Sequence, residues 1–405
     1  MEKEYKGKER GYKMSRVILF KPGDICHNSL GYWMDLLSEL FQKRGVETVI
    51  FPNGDEPEIL KQKMEKVLSE KKTDAAMMFN ANAGFVLFRE LFEKHKVPFF
   101  NYIVDHPLDH NLALQNAFGQ YNVICLDRNH KEFIERYFPK VQNTYFLPLA
   151  GMMDEKGDET YDEFRKRPYD ITFTGNLSNT DEMIAILAKY PEESKKICLG
   201  WIEKMLLHIN LSPEDALRVL LHEWGVDKNL SDEQFLQLGI SFKQAIFFVR
   251  NYIREEVVTK LLEEHIPIHI FGSGWDRIKE KFPESKELFH GDIDIDETMA
   301  VNRQSKIVLN ILPWFKAGTH DRIETAQLNG AAVLSDDNPY LREIYRDNEQ
   351  IYFYQSSNTD ALPGQIKAIL SDPEQLYHTM LEGKKLAKES MTWDVLADKL
   401  LEILT

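Results

Sequence analysis

The chain has 405 residues, 43% hydrophobic and 28% charged, and its 50 Lys and Arg against 65 Asp and Glu leave a net charge of −15. That length and apolar content exclude a single small module and a disordered chain, and they predict two or three domains. The acidic balance, with no concentrated Lys/Arg stretch, excludes a protein whose main work is to hold nucleic-acid backbone or anionic lipid.

Met1 to Lys13 is dense in Lys and Glu and has no apolar core, so it does not read as a secretory signal but as a disordered lead-in over residues 1–14. No apolar run approaches the ~20 residues that cross a bilayer, so no membrane span is expected. Cys26, Cys125 and Cys198 lie far apart without a Cys-x-x-Cys pair, which argues against a disulfide framework or structural zinc and for a reducing, cytoplasmic location.

Short runs rich in Val, Ile, Phe and Tyr then alternate with helical stretches, the signature of a parallel sheet covered by helices. The first series predicts strands at Arg16–Phe20, Val46–Phe51, Asp74–Phe79, Pro98–Val104, Asn122–Leu126 and Thr144–Pro148. A helix from Gly31 to Arg44 sets Trp33, Leu36, Leu37, Leu40 and Phe41 on one face and stops before Gly45. The charged stretch Asp154 to Pro168 reads as a linker. A second series predicts strands at Tyr169–Thr174, Ile266–Phe271, Glu287–His290, Lys306–Ile311, Ala331–Ser335 and Gln350–Tyr354. Between its first two strands lies far more helix than one crossover needs. The expected architecture is α/β: a Rossmann-like domain at 15–153, a linker at 154–168, and a second Rossmann-like domain at 169–385 with a helical insertion at about 200–250. A C-terminal helix at 386–405 would pack back toward the first domain.

Two such domains face each other with the carboxyl ends of their strands across a cleft, where open α/β sheets bind ligands. Three strand ends in the second half meet glycine: Thr174-Gly175-Asn176, Phe271-Gly272-Ser273-Gly274-Trp275 and His290-Gly291-Asp292. Glycine lets backbone N–H groups approach a phosphate, although turns after strands also use it for conformation alone. Neither a Walker loop nor a G-x-G-x-x-G fingerprint occurs at the start of this series, which removes support for NTP hydrolysis and dinucleotide redox chemistry.

The most informative stretch runs from Ser305 through Asn310 to Gly318-Thr319-His320-Asp321-Arg322-Ile323-Glu324 and on to Asn329-Gly330-Ala331-Ala332-Val333-Leu334-Ser335-Asp336. A buried strand enters a polar loop, a helix begins near Arg322, and a glycine-terminated helix feeds another strand. Here the chain resembles the second domain of GT-B glycosyltransferases, most closely the spore-maturation CgeB-like group, over Tyr169–Gly175 and Ile266–Asp336. The resemblance implies a nucleotide-sugar donor, a UDP-sugar foremost and GDP- or dTDP-sugars as alternatives, and no metal or other cofactor. It implies Glu324 on the donor's hydroxyls, usually ribose. Arg322, His320 and the backbone around Gly318 would face the diphosphate, and Gly272–Trp275 and Gly291–Ile293 the nucleoside. A helix start with Glu324 on its dipole and Arg322 in a surface ion pair is the plain structural alternative. The pair of glutamates eight positions apart found in many retaining members is absent, because Lys316 occupies the earlier position, and this leaves the stereochemical outcome open. Lys316 could itself contact phosphate.

Transfer with inversion needs a base beside the acceptor hydroxyl. Asp24 and His27 follow the first strand, and Asp105 and His106 follow the fourth, so both pairs are candidates for the acceptor side. A metal reading of Asp105, His106, Asp109 and His110 is disfavoured by Pro107, which breaks the regular helix that would align them. Asp292, Asp294 and Asp296 read better as the start of a helix than as the acid-x-acid cation site of GT-A enzymes. The function expected is therefore metal-independent glycosyl transfer to a protein, glycan or small-molecule acceptor held mainly by the first domain. A two-domain protein that only binds its ligand and a sugar-nucleotide epimerase are the alternatives.

Overall fold

The computed structural model describes residues 14–22, 29–51, 56–154, 157 and 159–405. Two six-stranded sheets, all of whose strand pairs are parallel, account for the two predicted strand series. The first sheet holds β1 (Arg16–Phe20), β2 (Glu47–Phe51), β3 (Ala75–Phe79), β4 (Phe99–Ile103), β5 (Tyr121–Cys125) and β6 (Asn143–Phe146), in the order β2-β1-β3-β4-β5-β6. The second holds β7 (Tyr169–Thr174), β8 (Ile268–Phe271), β9 (Phe289–Gly291), β10 (Ser305–Asn310), β11 (Ala332–Asp336) and β12 (Tyr352–Tyr354), in the order β12-β11-β10-β7-β8-β9. Strands β1, β3, β4 and β5 are buried at every position, as expected of strands covered by helices on both faces. Strand order reverses between β1 and β3 in the first sheet and between β7 and β10 in the second, and such reversals open a crevice at the carboxyl ends of the strands.

The long helical segment divides cleanly. Helix Gln244–Glu263 runs directly into β8 and is the crossover from β7. The added helices are Thr180–Leu187, Glu192–Leu207, Pro213–Glu223 and Asp232–Phe242, so the insertion begins earlier and ends sooner than the 200–250 expected from sequence. It packs on the first domain. The Tyr137 ring stacks on Phe235 at 5.3 Å, Arg218 lies 5.8 Å over the Tyr137 ring, and Lys243, which caps the last of these helices, has its Nζ 3.4 Å from Asp109 Oδ1. This face is therefore occupied within the chain itself.

The 154–168 stretch is more structured than its composition suggests. Thr160 and Glu163 form a reciprocal cap on a one-turn helix, Tyr161–Arg165. Arg167 is buried and donates to the carbonyls of Ser305 and Gly330, which anchors the segment to the second domain. The last helix, Trp393–Leu404, crosses back to the first domain. There Trp393 meets Trp33 at 5.8 Å and Asp398 accepts a 2.6 Å bond from Arg44.

Candidate functional site

A cleft of about 290 Å³ lies between the two sheets' carboxyl edges. The first domain contributes the start of helix Ser29–Lys43 through Ser29, Leu30 and Trp33, the end of β4 through Val104 and Asp105, and Leu126 and Leu149. The second contributes Thr174, Gly175 and Asn176 after β7, Phe271 and Gly272 after β8, residues 292–295 with Thr298 and Asn302, and His320, Asp321, Arg322 and Thr325.

Of the residues singled out in the sequence, the fold brings Asp105, Gly175, Asn176, Gly272, Asp292, His320 and Arg322 to this one cavity. Arg322 occupies the crevice between β7 and β10. Its Nη1 donates to Asn310 Oδ1 at 2.8 Å at the end of β10, and its guanidinium lies 5.6 Å over the Phe173 ring of β7. Burial lowers the Arg322 pKa, opposed by Asp321 and Asp336, yet a guanidinium remains charged in such surroundings. At the start of the same helix, Asp321–Leu328, His320 Nδ1 stands 2.8 Å from Asp321 Oδ1. Burial pushes the Asp321 carboxyl up, but His320 and Arg322 outweigh it and hold the group low. The surface-ion-pair alternative for Arg322 does not hold, since among the described residues its guanidinium donates to a buried amide oxygen and pairs with no carboxylate.

Other residues go elsewhere. Glu324, expected at the donor's ribose, is buried and does not line the cleft; two residues on from Arg322, it is rotated by about 200° around the helix from it. Its Oε1 accepts from Thr319 Oγ1 at 3.0 Å, its Oε2 has no partner among the described residues, and burial pushes its pKa up to about 8. It borders a separate cavity of about 240 Å³ beside Tyr340 and Met391. Lys316 does not line the cleft but lies under the insertion with Trp314 and Ile246, its pKa lowered by burial. Gly318 does not face a diphosphate either. It pairs with Asp127 of the first domain, and a Cβ there would overlap the Leu126 carbonyl. Trp275 is buried, and its indole N–H donates to the Gly175 carbonyl at 2.8 Å. Ser273 donates its backbone N–H to Asn176 Oδ1 at 3.0 Å, while Gly274 at φ 82° and Gly291 also stay outside the cavity lining. A side chain at Gly274 would overlap the Leu177 carbonyl, so this glycine serves loop-on-loop packing rather than an open phosphate cradle.

On the acceptor wall, Asp105 and His106 separate. Consecutive side chains on extended backbone point to opposite sides, and His106 has φ −66° and ψ 137°. Asp105 enters the cleft with Oδ2 accepting from Asn80 Nδ2 at 2.9 Å. His106 turns under the insertion, 3.5 Å from Glu214 and with its ring 4.8 Å from that of His130. Burial pushes the pKa of His110 down to about 4. Asp24 and His27 lie outside the described residues. Among the described residues no group of three or more His, Cys, Asp or Glu is placed to hold a metal ion, and no helix is long and apolar enough to cross a membrane.

Sequence reasoning missed several cleft residues. Among the described residues, Thr174 Oγ1 and both side-chain polar atoms of Asn302 are buried there without partners, and a buried polar group at a cavity is an unfilled hydrogen-bonding position. Asn302 sits within helix Ile295–Arg303, where nothing local distinguishes it from a solvent-facing polar residue.

The same architecture is found in known proteins. Residues 250–402 match a family model described as Glycosyl transferase-like. Sucrose-phosphate synthase from Thermosynechococcus elongatus superposes with a TM-score of 0.55 at 10% identity, covering 96% of this chain and 98% of that one. Anabaena HepE, in a complex with UDP and glucose, gives 0.54 at 9% identity over 96% and 99%. The fold is GT-B, and residues 250–402 of it are similar to a glycosyl transferase-like domain. An alpha-glucosyltransferase in complex with UDP and a 13-mer DNA containing a HMU base is similar to the same extent, with a TM-score of 0.54 at 11% identity over 96% and 99%. No curated protein sequence matches the chain. Within the GT-B frame, β7–β12 form the domain that meets the matched segment, and the cleft lies at the crevice between the two Rossmann-like domains.

Proposed function

We propose that this protein transfers a hexosyl group from a nucleotide-sugar donor held by the second domain to an acceptor held by the first, and that within the GT-B fold it stands with the CgeB-like group. The observation that carries the reading is Arg322, a half-buried cation fixed by Asn310 at the strand-order reversal of the second sheet, beside the start of a helix that opens on the cleft. A diphosphate needs such a charge and such N–H donors, and the stabilisation is strongest where water is excluded. In the proposed reaction an acceptor hydroxyl attacks the anomeric carbon, the bond from that carbon to the phosphate oxygen breaks, and the nucleoside diphosphate leaves with its charge facing Arg322. Asp105, the carboxylate on the opposite wall, takes the acceptor's proton. The leaving-group charge is met by side chains rather than by a metal ion.

UDP-sugars are the donors to try first, because HepE and the alpha-glucosyltransferase were each found with UDP, and GDP- and dTDP-sugars follow. We place the reaction in the cytoplasm, in keeping with the buried free thiols of Cys125 and Cys198. A thermal-shift and hydrolysis screen across UDP-, GDP-, dTDP- and CMP-sugars tests the reading, since a ligand that binds only the folded state raises the melting temperature. Stabilisation by one donor together with slow release of its sugar is the expected result. Binding without turnover would instead favour a non-catalytic receptor, and no shift with any donor would overturn the proposal.

A further inference from the structure

The cavity of about 240 Å³ beside Glu324 lies where the chain crosses between the domains. One wall is Leu147–Ala150, which leaves β6 for the second domain, and another is Ser390–Thr392 with Val395, Leu396 and Lys399, where the chain returns to the first. The two crossings touch, Gly151 donating its backbone N–H to the Met391 carbonyl at 3.0 Å. The third wall is Glu324, rotated away from Arg322 on helix Asp321–Leu328, with Tyr340 and Ile344.

Glu324 is only 3% exposed, and its Oε2 has no partner among the described residues. Because Oε1 accepts from Thr319, the neutral carboxyl carries its proton on Oε2 and offers it as a donor. Burial, and next the Glu324 carboxyl, push the Tyr340 pKa up, so this phenol also keeps its proton. The Ser390 and Thr392 hydroxyls are engaged at helix ends, by the Leu386 carbonyl and the Val395 N–H. The one lining side chain that carries charge while Glu324 is neutral is the exposed Lys399. Arg128, over the Tyr340 ring at 5.2 Å, is paired with Glu343 and adds no net charge.

Two O–H donors and one cation thus border an otherwise apolar space, and a buried donor without a partner at a cavity is an open hydrogen-bonding position. A carboxylate meets both hydroxyls and the charge of Lys399, while an apolar body packs on Leu147, Leu149 and Leu396. A volume below the roughly 300 Å³ at which drug-sized sites begin keeps that body compact. The cavity is also tied to the cleft. Glu324 and Arg322 share one helix, Met152 donates its N–H to Thr325 Oγ1 at 3.0 Å, and Leu149 borders both cavities. A ligand that bridges Leu147–Ala150 of the first domain to Glu324 and Tyr340 of the second favours the arrangement in which both cleft walls stand together.

We propose that this cavity is an effector site for a compact carboxylic acid, bound as its carboxylate, and that its occupancy raises donor affinity in the cleft. The second clause rests on the nucleotide-sugar reading above, and the first does not.

Benzoate is the probe, with benzamide and benzylamine as its neutral and cationic counterparts, in calorimetric titrations and melting curves of the full chain. Benzoate is expected to raise the melting temperature and to bind roughly tenfold tighter than either counterpart. Tyr340→Phe, which keeps the ring against Phe146, and Lys399→Met at the exposed rim should each weaken benzoate by about threefold to tenfold. Saturating benzoate should tighten UDP binding by about fivefold or more. Melting curves without ligand show that the variants fold. A parent that benzoate does not stabilise, or that binds benzamide or benzylamine as tightly, overturns the site, as do two folded variants with parent affinity for benzoate. Benzoate binding that leaves UDP affinity unchanged overturns the coupling. A parent that binds benzoate but no nucleotide or nucleotide-sugar overturns the functional reading and the coupling with it, and leaves the site standing.

Discussion

The buried carboxylate of Asp127, just past β5 of the first domain, accepts the backbone N–H of Ala317 in the second at 2.7 Å. The same carboxylate accepts from Asn129, and Arg128 returns a backbone bond to the Ala317 carbonyl at 3.1 Å, so a short stretch of antiparallel bridge closes the two domains on each other. The bridge ends three residues before the start of helix Asp321–Leu328, so the contact that joins the domains also positions His320 and Arg322 over the cleft.

Because the bridge needs Gly318 to approach the Leu126 carbonyl, Gly318→Ala should separate the domains at this point. The overpacking is expected to cost about 1–3 kcal/mol. A lower melting temperature and a larger radius of gyration in small-angle scattering would register it, and an unchanged melting temperature would show that the close approach is dispensable.

Loss of Arg322 should affect the donor first. A hydrogen bond to a charged group contributes about 1.5–3 kcal/mol, so Arg322→Gln is expected to weaken nucleotide-sugar binding roughly 10–100-fold. Titration calorimetry reads it directly. Parent-like affinity in the variant would remove Arg322 from the donor site.

Asp105→Asn probes the opposite wall. If this carboxylate takes the acceptor's proton, kcat falls about 10²–10⁴-fold while the donor's dissociation constant stays put. Steady-state rates beside equilibrium binding distinguish the two effects, and an unaltered kcat would reassign the base.

Glu324 makes a prediction about pH. Its carboxyl titrates near 8 in the fold and near 4.5 when unfolded, so between those values the folded state holds a proton that the unfolded state has lost. Stability should therefore fall as pH rises through this window, with a slope of at most about 1.4 kcal/mol per pH unit from this group. Glu324→Gln keeps the neutral shape and should flatten that dependence in melting curves from pH 5 to 8. The same slope in parent and variant would show that the group is not buried as a neutral acid.

Alternating apolar strands and helices were enough to determine both sheets, because burial on two faces demands unbroken Val, Ile, Phe and Tyr runs whose register any fold of this class must respect. The loop entering helix Asp321–Leu328 was legible for a similar reason: glycine, polar residues and a helix start have few uses other than capping or holding an anion. Which side of that helix each residue faces was not legible. The choice between Arg322 and Glu324 as the cleft residue depends on how the helix is rotated against β7 and β10, and the separation of Asp105 from His106 depends on one extended residue beneath a four-helix insertion. Arg254 looks like an ordinary surface charge in a long helix, and only the return of that helix under the loop after β7 brings it to the Asn176 carbonyl. Local sequence determines periodicity and backbone preference over a few residues, whereas the collection of Asp105, Asn176, Asn302 and Arg322 into one cleft is a property of long-range packing, and that was decided by the tertiary structure alone.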